Sequence, residues 1–333
     1  MKVLGIETSC DETAVAVVEN GKAILVNLIA SQIDIHKQYG GVFPEVASRH
    51  HVNRLLPLVE KAIEITNEID LIAVTNGPGL MGALLMGVTA ANTLGFGWDK
   101  PVVGVNHIEA HIYAAMIGTT PLFPALGVVV SGGHTLLIKM QNITSYEILG
   151  TTVDDAAGEA FDKVATLLEY PYPGGPHIEK LAIEGDEKKY HLRSGQIKRH
   201  PFHFSFSGLK TQILYLVKGM NGTKNDLTII DKEEKKHIAA SFQRAIFKDI
   251  VKKSLKAALS FPCRAIYFGG GVTQNKAFRQ SFTHHCPIPL FWPPQNLGLD
   301  NAVMIAGLGY HLRAQKGEVQ AFPRISTKAH RSL

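Results

Sequence analysis

Long apolar stretches and cysteines are both scarce in this sequence of 333 residues. No run of 18 apolar residues occurs, so no ordinary membrane-spanning helix is predicted. The three cysteines, Cys10, Cys263 and Cys286, are widely separated, which argues against a disulfide framework and against a cysteine zinc site. The Gly-Lys-Ser/Thr element of a P-loop is also missing. We therefore expect a reduced, cytoplasmic protein without a membrane partner.

The composition is that of an ordinary globular protein, with 45% hydrophobic and 19% charged residues. The length is sufficient for two lobes that each have a buried core. The formal net charge of +5 permits a polyanionic partner such as nucleic acid without proving one. Lys248, Lys252, Lys253 and Lys256 recur at helical spacing. They predict a basic stripe, which is either a nucleic-acid contact or only a solvated helix face.

Two histidines, His107 and His111, stand four residues apart directly after an apolar segment. At 3.6 residues per turn their imidazoles project from one helix face, where they could bind a single metal ion. The alternative is two histidines that merely share that face. Glu109 lies about 200° around the helix from His107, so it does not take the place of the general base in a zinc protease of the His-Glu-x-x-His type.

The chain contains an internal duplication. Residues 5–20 align with residues 127–142, and each copy reads as a strand, a polar turn and a second strand. Later in each copy a strand, Leu71 to Thr75 or Ala265 to Phe268, opens into a glycine-rich turn and then a helix. The sequence thus predicts a duplicated α/β protein whose layout resembles the actin/sugar-kinase/Hsp70 superfamily, with two lobes around a central nucleotide cleft.

Glycine-rich turns end buried strands in the second copy. Ser131-Gly132-Gly133-His134 and Gly269-Gly270-Gly271 both let backbone N–H groups approach an anion closely. For each turn alone, tight turning without a ligand is the competing explanation. Two such turns at equivalent places in a duplicated fold favour a nucleotide site.

The order of the motifs resembles the bacterial TsaD family, formerly called Gcp or YgjD, nearly from end to end. The matching segments are Gly5–Thr13, Tyr39–Glu45, Ala47–Arg49, Gly77–Leu80, His107–His111, Ser131–Thr135, Asp154–Lys163, Tyr172–Pro176, Phe204–Thr211 and Gly269–Asn275. The resemblance implies an acyltransferase. It would move the threonylcarbamoyl group of threonylcarbamoyl-adenylate to N6 of the adenosine beside the anticodon, in tRNAs that read codons beginning with A.

The resemblance also implies the site residues. His107, His111 and Asp300 would bind one divalent metal ion, either iron or zinc. The adenylate of the donor, or ATP or ADP, would be bound by Val130, Ser131, Gly132, Gly133, His134, Asp162, Gly175 and Asn275. As a further hypothesis, Asp11 or Glu12 accepts the proton of the amine, although both could simply form a polar hairpin turn.

Domain boundaries and partners complete the expectations. An N-terminal lobe is expected over 1–106, completed by a C-terminal helix over about 302–333, and a C-terminal lobe over 107–301 carries the metal and adenylate residues. The resemblance implies tRNA, a TsaB-like paralogue, a TsaE-like ATPase and a separate synthase of the adenylate as partners. A partner helix is expected on the helices around Pro44 to Ile65 and Met81 to Leu94.

One departure from the family pattern affects the predicted metal site. Gly298-Leu299 precede Asp300, where the family usually has Cys-Thr, so the support of this ligand differs. Three other functions compete with the transferase: a small-molecule kinase of the same superfamily, a metalloprotease, and an Hsp70-like scaffold without catalysis. A kinase would have no need of His107 and His111.

Overall fold

The computed structural model describes residues 1–218 and 230–316. The strands are β1 (Lys2–Glu7), β2 (Glu12–Glu19), β3 (Ala23–Ser31), β4 (Leu71–Gly77), β5 (Val102–Asn106), β6 (Ala125–Val130), β7 (Thr135–Asn142), β8 (Ser145–Thr151), β9 (Ala265–Gly269) and β10 (Leu290–Phe291). The α-helices are α1 (Ile33–His36), α2 (Pro44–Thr66), α3 (Met81–Trp98), α4 (His107–Tyr113), α5 (Ala157–Leu167), α6 (Gly175–Ile183), α7 (Ser207–Lys218), α8 (Lys232–Ala258), α9 (Lys276–His285) and α10 (Ala302–Lys316). Short 3₁₀ segments lie at Lys37–Tyr39, Gly271–Gln274 and Gln295–Leu297.

The strands form two five-stranded sheets with equivalent orders. The first sheet runs β3-β2-β1-β4-β5 and the second runs β10-β9-β6-β7-β8. In the first sheet β1 pairs antiparallel with β2 and parallel with β4, and in the second β6 pairs in the same way with β7 and β9. The duplication predicted from the sequence is therefore confirmed at the level of strand pairing.

Contacts along the chain divide the protein into two compact units. Unit 1 comprises Met1–Leu122, Gln141–Ser145 and the described chain from Phe291 onward, and unit 2 comprises Phe123–Met140 and Tyr146–Leu290. The predicted boundary at residues 106 and 107 differs from this division. Because α4 and the segment before α10 pack within unit 1, His107, His111 and Asp300 belong to unit 1 and not to the second lobe.

The first sheet is covered on both faces within unit 1. Strand β1 is apolar along nearly its whole length, and its alternating side chains point to opposite faces. Leu4 and Ile6 join a buried cluster with Leu55 of α2 and Val88 of α3. On the other face, α10 lies directly against Gly5, where a side chain would overlap the carbonyl oxygen of Ala302. The absent side chain thus lets α10, which follows Asp300, approach the sheet.

The structure describes one predicted helix in part and changes the expectation about another. The C-terminal helix predicted over about 302–333 is described as Ala302–Lys316, and residues 317–333 lie outside the described residues. The basic stripe on α8 is incomplete, because Lys253 is buried and forms an ion pair with Asp249 at 2.7 Å. Within the described chain, no helix combines the length and the apolar character needed to cross a membrane.

The close approach of α10 to β1 gives a stability prediction. Gly5→Ala would place a Cβ into the Ala302 carbonyl oxygen and 2.9 Å from the Ala306 Cβ. We expect the free energy of unfolding to fall by about 1–3 kcal/mol, as in other overpacked cores. Gly97→Ala in α3 is the control, because nothing lies within 4 Å of the added atom. Chemical denaturation measures both, and equal stability of the two variants would contradict the packing described.

Candidate functional site

Helix α4 positions both histidines directly after strand β5. Asn106 ends the strand, and its side chain accepts hydrogen bonds from the N–H groups of Ile108 at 2.8 Å and Glu109 at 3.3 Å. Such an amide cap satisfies two of the unpaired N–H groups that begin a helix. His107 therefore occupies the first helical turn and His111 the next, and both side chains are buried.

Asp300 meets these histidines from a distant part of the chain. The Nε2 atom of His111 lies 3.1 Å from the Nε2 atom of His107 and 3.1 Å from Oδ1 of Asp300. The Nε2 atom of His107 lies 3.6 Å from the same oxygen. Within the described chain these three residues form a group whose ligand atoms all lie within 4.8 Å of one another. Glu109 is not part of this group, as expected from its position on the helix.

The geometry of the three atoms fits a divalent metal ion. Two ligand atoms bound about 2.1 Å from one ion at a tetrahedral angle are about 3.4 Å apart. The observed separations of 3.1 and 3.6 Å bracket that value. Two imidazoles and one carboxylate suit zinc or ferrous iron, and three protein ligands leave coordination positions open.

Glu7 is a functional candidate that the sequence analysis missed. Its fully buried carboxylate accepts a hydrogen bond from Nδ1 of His107 at 2.9 Å, and the Thr75 hydroxyl donates to the same oxygen at 2.6 Å. In the neutral imidazole that a metal ion requires, this bond keeps the proton on Nδ1 and leaves the lone pair of Nε2 on the side of Asp300 and His111. The signal in the sequence was an acidic residue ending the apolar run of β1.

The two members of this pair shift each other's pKa. Burial alone would raise the pKa of Glu7, but the charge and the hydrogen bond of His107 hold it below its usual value. Burial would lower the pKa of His107, but the carboxylates of Glu7 and Asp300 raise it to about 9. Glu7 is therefore an ionised carboxylate that orients the imidazole of His107.

The segment before Asp300 is held by the main chain. The buried side chain of Asn301 donates to the carbonyl oxygens of Leu297 at 3.2 Å and Leu299 at 2.8 Å, and it accepts from Met304 N in α10. Leu299 itself is 58% exposed. Because Leu299 contributes its carbonyl group, the departure at Gly298-Leu299 leaves this support of the Asp300 turn in place.

Asp11 ends the turn between β1 and β2, Glu12 is the first residue of β2, and both are buried. Burial, the charges of Asp11 and Asp300 and a hydrogen bond to Asp11 raise the pKa of Glu12 to about 10. The Ser31 hydroxyl donates to Glu12 at 3.1 Å. At neutral pH Glu12 is therefore a protonated carboxylic acid beside Asp11. Asp300 acts electrostatically on Glu12, so this turn lies near the histidine group.

In unit 2, the turn Ser131–His134 connects β6 with β7. The N–H group of Ser131 donates to the carbonyl oxygen of His134 at 2.8 Å, and the Ser131 hydroxyl accepts from His134 N at 3.1 Å. Gly132 and Gly133, the middle of the turn, are exposed, with open space where side chains would stand. The turn is held against α5, since Gly158 N donates to Ser131 O at 3.1 Å. Its backbone is thus fixed and accessible.

The remaining predicted adenylate residues are also in unit 2. Asp162 of α5 accepts a hydrogen bond from Gly174 N at 2.7 Å, which places the start of α6, at Gly175, next to α5. Asn275 is buried, caps α9 by accepting from Phe278 N and donates to Gln243 at 2.8 Å. The structure therefore brings the turn, Asp162 and Gly175 together around α5. The side chain of Asn275 is already engaged in hydrogen bonds, and its contact with an adenylate stays a prediction.

Solved structures share this fold at low sequence identity. Full-length HypF in a phosphate- and nucleotide-bound form has a TM-score of 0.62 and 13% identity, over 93% of this chain and 46% of HypF. The chain therefore spans about half the length of HypF. The ROK hexokinase from Thermus thermophilus has a TM-score of 0.51 and 14% identity, over 95% of this chain and 100% of that protein. These likenesses confirm the predicted fold of the actin/sugar-kinase/Hsp70 superfamily.

Sequence comparison identifies the family. A family model described as TsaD, tRNA N6-adenosine threonylcarbamoyltransferase, matches residues 23–307. The tRNA N6-adenosine threonylcarbamoyltransferase of Protochlamydia amoebophila is 51% identical over 318 residues, which are 93% of this chain and 92% of that protein. Since the family model covers most of the chain and this relative aligns along nearly its whole length, the chain belongs to the TsaD family.

Proposed function

We propose that this protein transfers the threonylcarbamoyl group of threonylcarbamoyl-adenylate to N6 of the adenosine next to the anticodon. The acceptors are tRNAs that read codons beginning with A. The observation that carries this proposal is the TsaD family match over residues 23–307, together with the converging atoms of His107, His111 and Asp300. Neither a kinase nor a nucleotide-sensing scaffold needs that convergence.

The metal part of the proposal assigns a role to three side chains. His107 and His111 bind the ion through Nε2 and Asp300 binds it through a carboxylate oxygen, while Glu7 orients His107. A bound iron or zinc ion supplies Lewis-acid stabilisation of the negative charge that develops on the carbonyl oxygen of the donor. Burial of His107 and His111 lowers the local dielectric constant and strengthens that electrostatic effect.

The transfer needs an acceptor for one proton. The N6 amine forms a bond to the carbonyl carbon of the donor, the bond from that carbon to the phosphate oxygen breaks, and AMP leaves with the electron pair. The amine then has one proton too many. Asp11 accepts it, since Glu12 is already protonated at neutral pH and holds Asp11 by a hydrogen bond. This division of roles refines the expectation that either residue could serve.

For the adenylate we propose the fixed turn of unit 2. The exposed N–H groups of Gly132 and Gly133 suit the phosphate of the donor, or that of ATP or ADP. Asp162 and Gly175 would line the same site next to α5, together with Val130, Ser131, His134 and Asn275. The open space at both glycines supports this assignment, because a phosphate must approach the backbone closely.

The transfer assay tests the function and the role of Asp11 together. Purified chain is incubated with tRNA, threonine, bicarbonate, ATP, the adenylate-forming synthase, the TsaB-like paralogue and the TsaE-like ATPase, and nucleosides are then analysed by mass spectrometry. We expect threonylcarbamoyladenosine with the wild type and a rate about 10²–10⁴-fold lower with Asp11→Asn, which removes the proton acceptor. Glu12→Gln is the matched control, because an amide resembles a protonated carboxylic acid.

Two results would count against these assignments. If the wild type forms no modified nucleoside under these conditions, the proposed function is wrong. If Asp11→Asn keeps the full rate, or if Glu12→Gln is as damaging as Asp11→Asn, the proton acceptor is another group.

The role of Glu7 gives a prediction that does not depend on activity. Glu7→Gln weakens the hydrogen bond that fixes His107, and we expect metal affinity to fall about 10–100-fold, as is usual when such a supporting partner is lost. Glu109 lies on α4 with His107 and His111 but outside the ligand group, so Glu109→Gln should leave the metal affinity unchanged. Competition with a chelator, followed by elemental analysis for iron and zinc, measures both. Equal affinities in the two variants would remove Glu7 from the metal site.

We further propose that the TsaB-like paralogue docks on the groove between α2 and α3. The groove is lined mainly by apolar side chains, and on its rim Val52 and Leu56 are each more than half exposed. Apolar side chains exposed side by side are typical of a protein interface. His51 also lines the groove, and its Nε2 donates to the carbonyl oxygen of Cys10 at 2.9 Å. His51 is fully buried, so a docked helix would lie over a residue that is hydrogen-bonded next to Asp11.

Leu56→Asp tests this docking surface. A carboxylate placed in the apolar groove should weaken binding of the paralogue at least about tenfold, because the charge would have to be buried without a partner. Lys61→Asp changes an exposed residue on the opposite side of α2 and serves as the control. Calorimetric titration with the paralogue measures both. Unchanged affinity in Leu56→Asp would show that the partner binds elsewhere.

A further inference from the structure

Two aromatic side chains are exposed on the segment that follows α1. Tyr39 is 55% exposed and Phe43 is 44% exposed. Their ring centroids are 5.3 Å apart and the planes are inclined by 30°, so the two rings pack against each other and remain partly exposed. Single exposed apolar residues are common, but two rings held side by side are a surface for another flat group.

The segment is attached to the Asp11 turn by a chain of hydrogen bonds within unit 1. Gln32 N donates to the carbonyl oxygen of Asp11 at 3.1 Å, and His36 N donates to the carbonyl oxygen of Gln32 at 3.1 Å. The Nδ1 atom of His36 then accepts from Phe43 N at 3.3 Å. Three hydrogen bonds therefore connect the aromatic pair to Asp11, the proposed acceptor of the amine proton.

His36 is a fixed anchor in this chain of contacts. The residue is buried, and because its Nδ1 atom accepts a hydrogen bond, the neutral ring carries its proton on Nε2. Burial lowers the pKa of His36, although the nearby charge of Asp11 acts in the opposite direction. In the neutral ring, Nδ1 remains free of a proton and can accept the hydrogen bond from Phe43 N. Because Phe43 precedes α2 directly, this bond connects the start of α2 to the Asp11 turn.

The backbone between the two rings leaves space around them. Gly40 has a φ of 68°, a left-handed conformation that reverses the chain after Tyr39. Neither Gly40 nor Gly41 has another atom within 4 Å of the position of a Cβ, so this side of the segment is open. Farther along, the exposed side chains of Arg49 and Arg54 on α2 carry positive charge.

We propose that Tyr39 and Phe43 stack on the target adenine of the tRNA anticodon loop and hold it beside Asp11. This inference rests on the proposed function and names the part of the protein that recognises the acceptor. Unpaired bases of RNA loops are commonly bound by stacking on aromatic side chains, whereas basic side chains nearby contact the phosphates. Two exposed arginines, Arg49 and Arg54, against one exposed carboxylate, Glu45, within residues 44–54 of the helix that begins after Phe43 favour RNA over a purely apolar protein segment.

A fluorescent stem-loop tests the stacking. An RNA with the sequence of the anticodon arm carries 2-aminopurine in place of the target adenine, and it is titrated with the chain in the presence of the paralogue and the ATPase. Stacking on the rings quenches the fluorescence of 2-aminopurine. We expect the Tyr39→Leu/Phe43→Leu double variant to raise the Kd about 5- to 150-fold and to lose the quenching. Tyr39→Phe, which keeps an aromatic ring, should bind like the wild type.

The outcomes separate this inference from the proposed function. Quenching that is absent in the wild type, or unchanged in the double variant, overturns the stacking surface. The stacking proposal is also wrong if the double variant binds RNA normally but no longer binds the paralogue, because the rings then contact a protein. Modification of full-length tRNA is measured separately by nucleoside analysis. If the wild type modifies tRNA and the double variant still quenches the fluorescence normally, the stacking proposal is wrong and the proposed function stands.

Discussion

The hydrogen bond between Glu7 and His107 joins the sheet of unit 1 to its candidate metal site. Glu7 ends β1, the strand at the centre of that sheet, and His107 begins α4 after β5. Because the carboxylate is fully buried, it is stable as an ion only with donors such as His107 and Thr75 around it. Orientation of the imidazole and burial of the charge therefore depend on each other, and a change in either residue disturbs both.

The duplicated fold supplies the same turn twice with different chemistry. The turn after β1 carries Asp11 and Glu12, whereas the turn after β6 consists of Ser131–His134 with two exposed glycines. The first turn holds carboxyl groups, one of them protonated, and suits proton transfer. The second offers backbone N–H groups and suits an anion. Strand pairing is preserved between the copies, whereas the chemical groups differ in the turns and at Glu7, which aligns with Val129 in the second copy.

Local patterns in the sequence predicted those features that depend on neighbouring residues. The duplicated strands and the shared helix face of His107 and His111 follow from spacings of two and 3.6 residues. The domain boundary could not be predicted in this way, because it depends on how α4 packs against α10, nearly 200 residues later. Lys253 shows the same limit, since helical spacing places it one turn after Asp249 but cannot reveal that both side chains are buried. Asp300 could be placed beside the histidines only through the family resemblance.

The distribution of charge gives a further argument for a cation at this site. Burial and the charges of Asp11 and Asp300 raise the pKa of Glu12, and the charge of Asp300 also opposes the lowering of the pKa of Glu7 by His107. Crowding carboxyl groups in a mostly buried region destabilises a fold, as the protonation of Glu12 at neutral pH illustrates. A divalent ion bound by Asp300 would offset this repulsion. His107, whose pKa is raised to about 9, offsets part of the charge of Glu7 and Asp300 in the metal-free chain, and the proposed ion would take over that role when His107 binds it as a neutral ring.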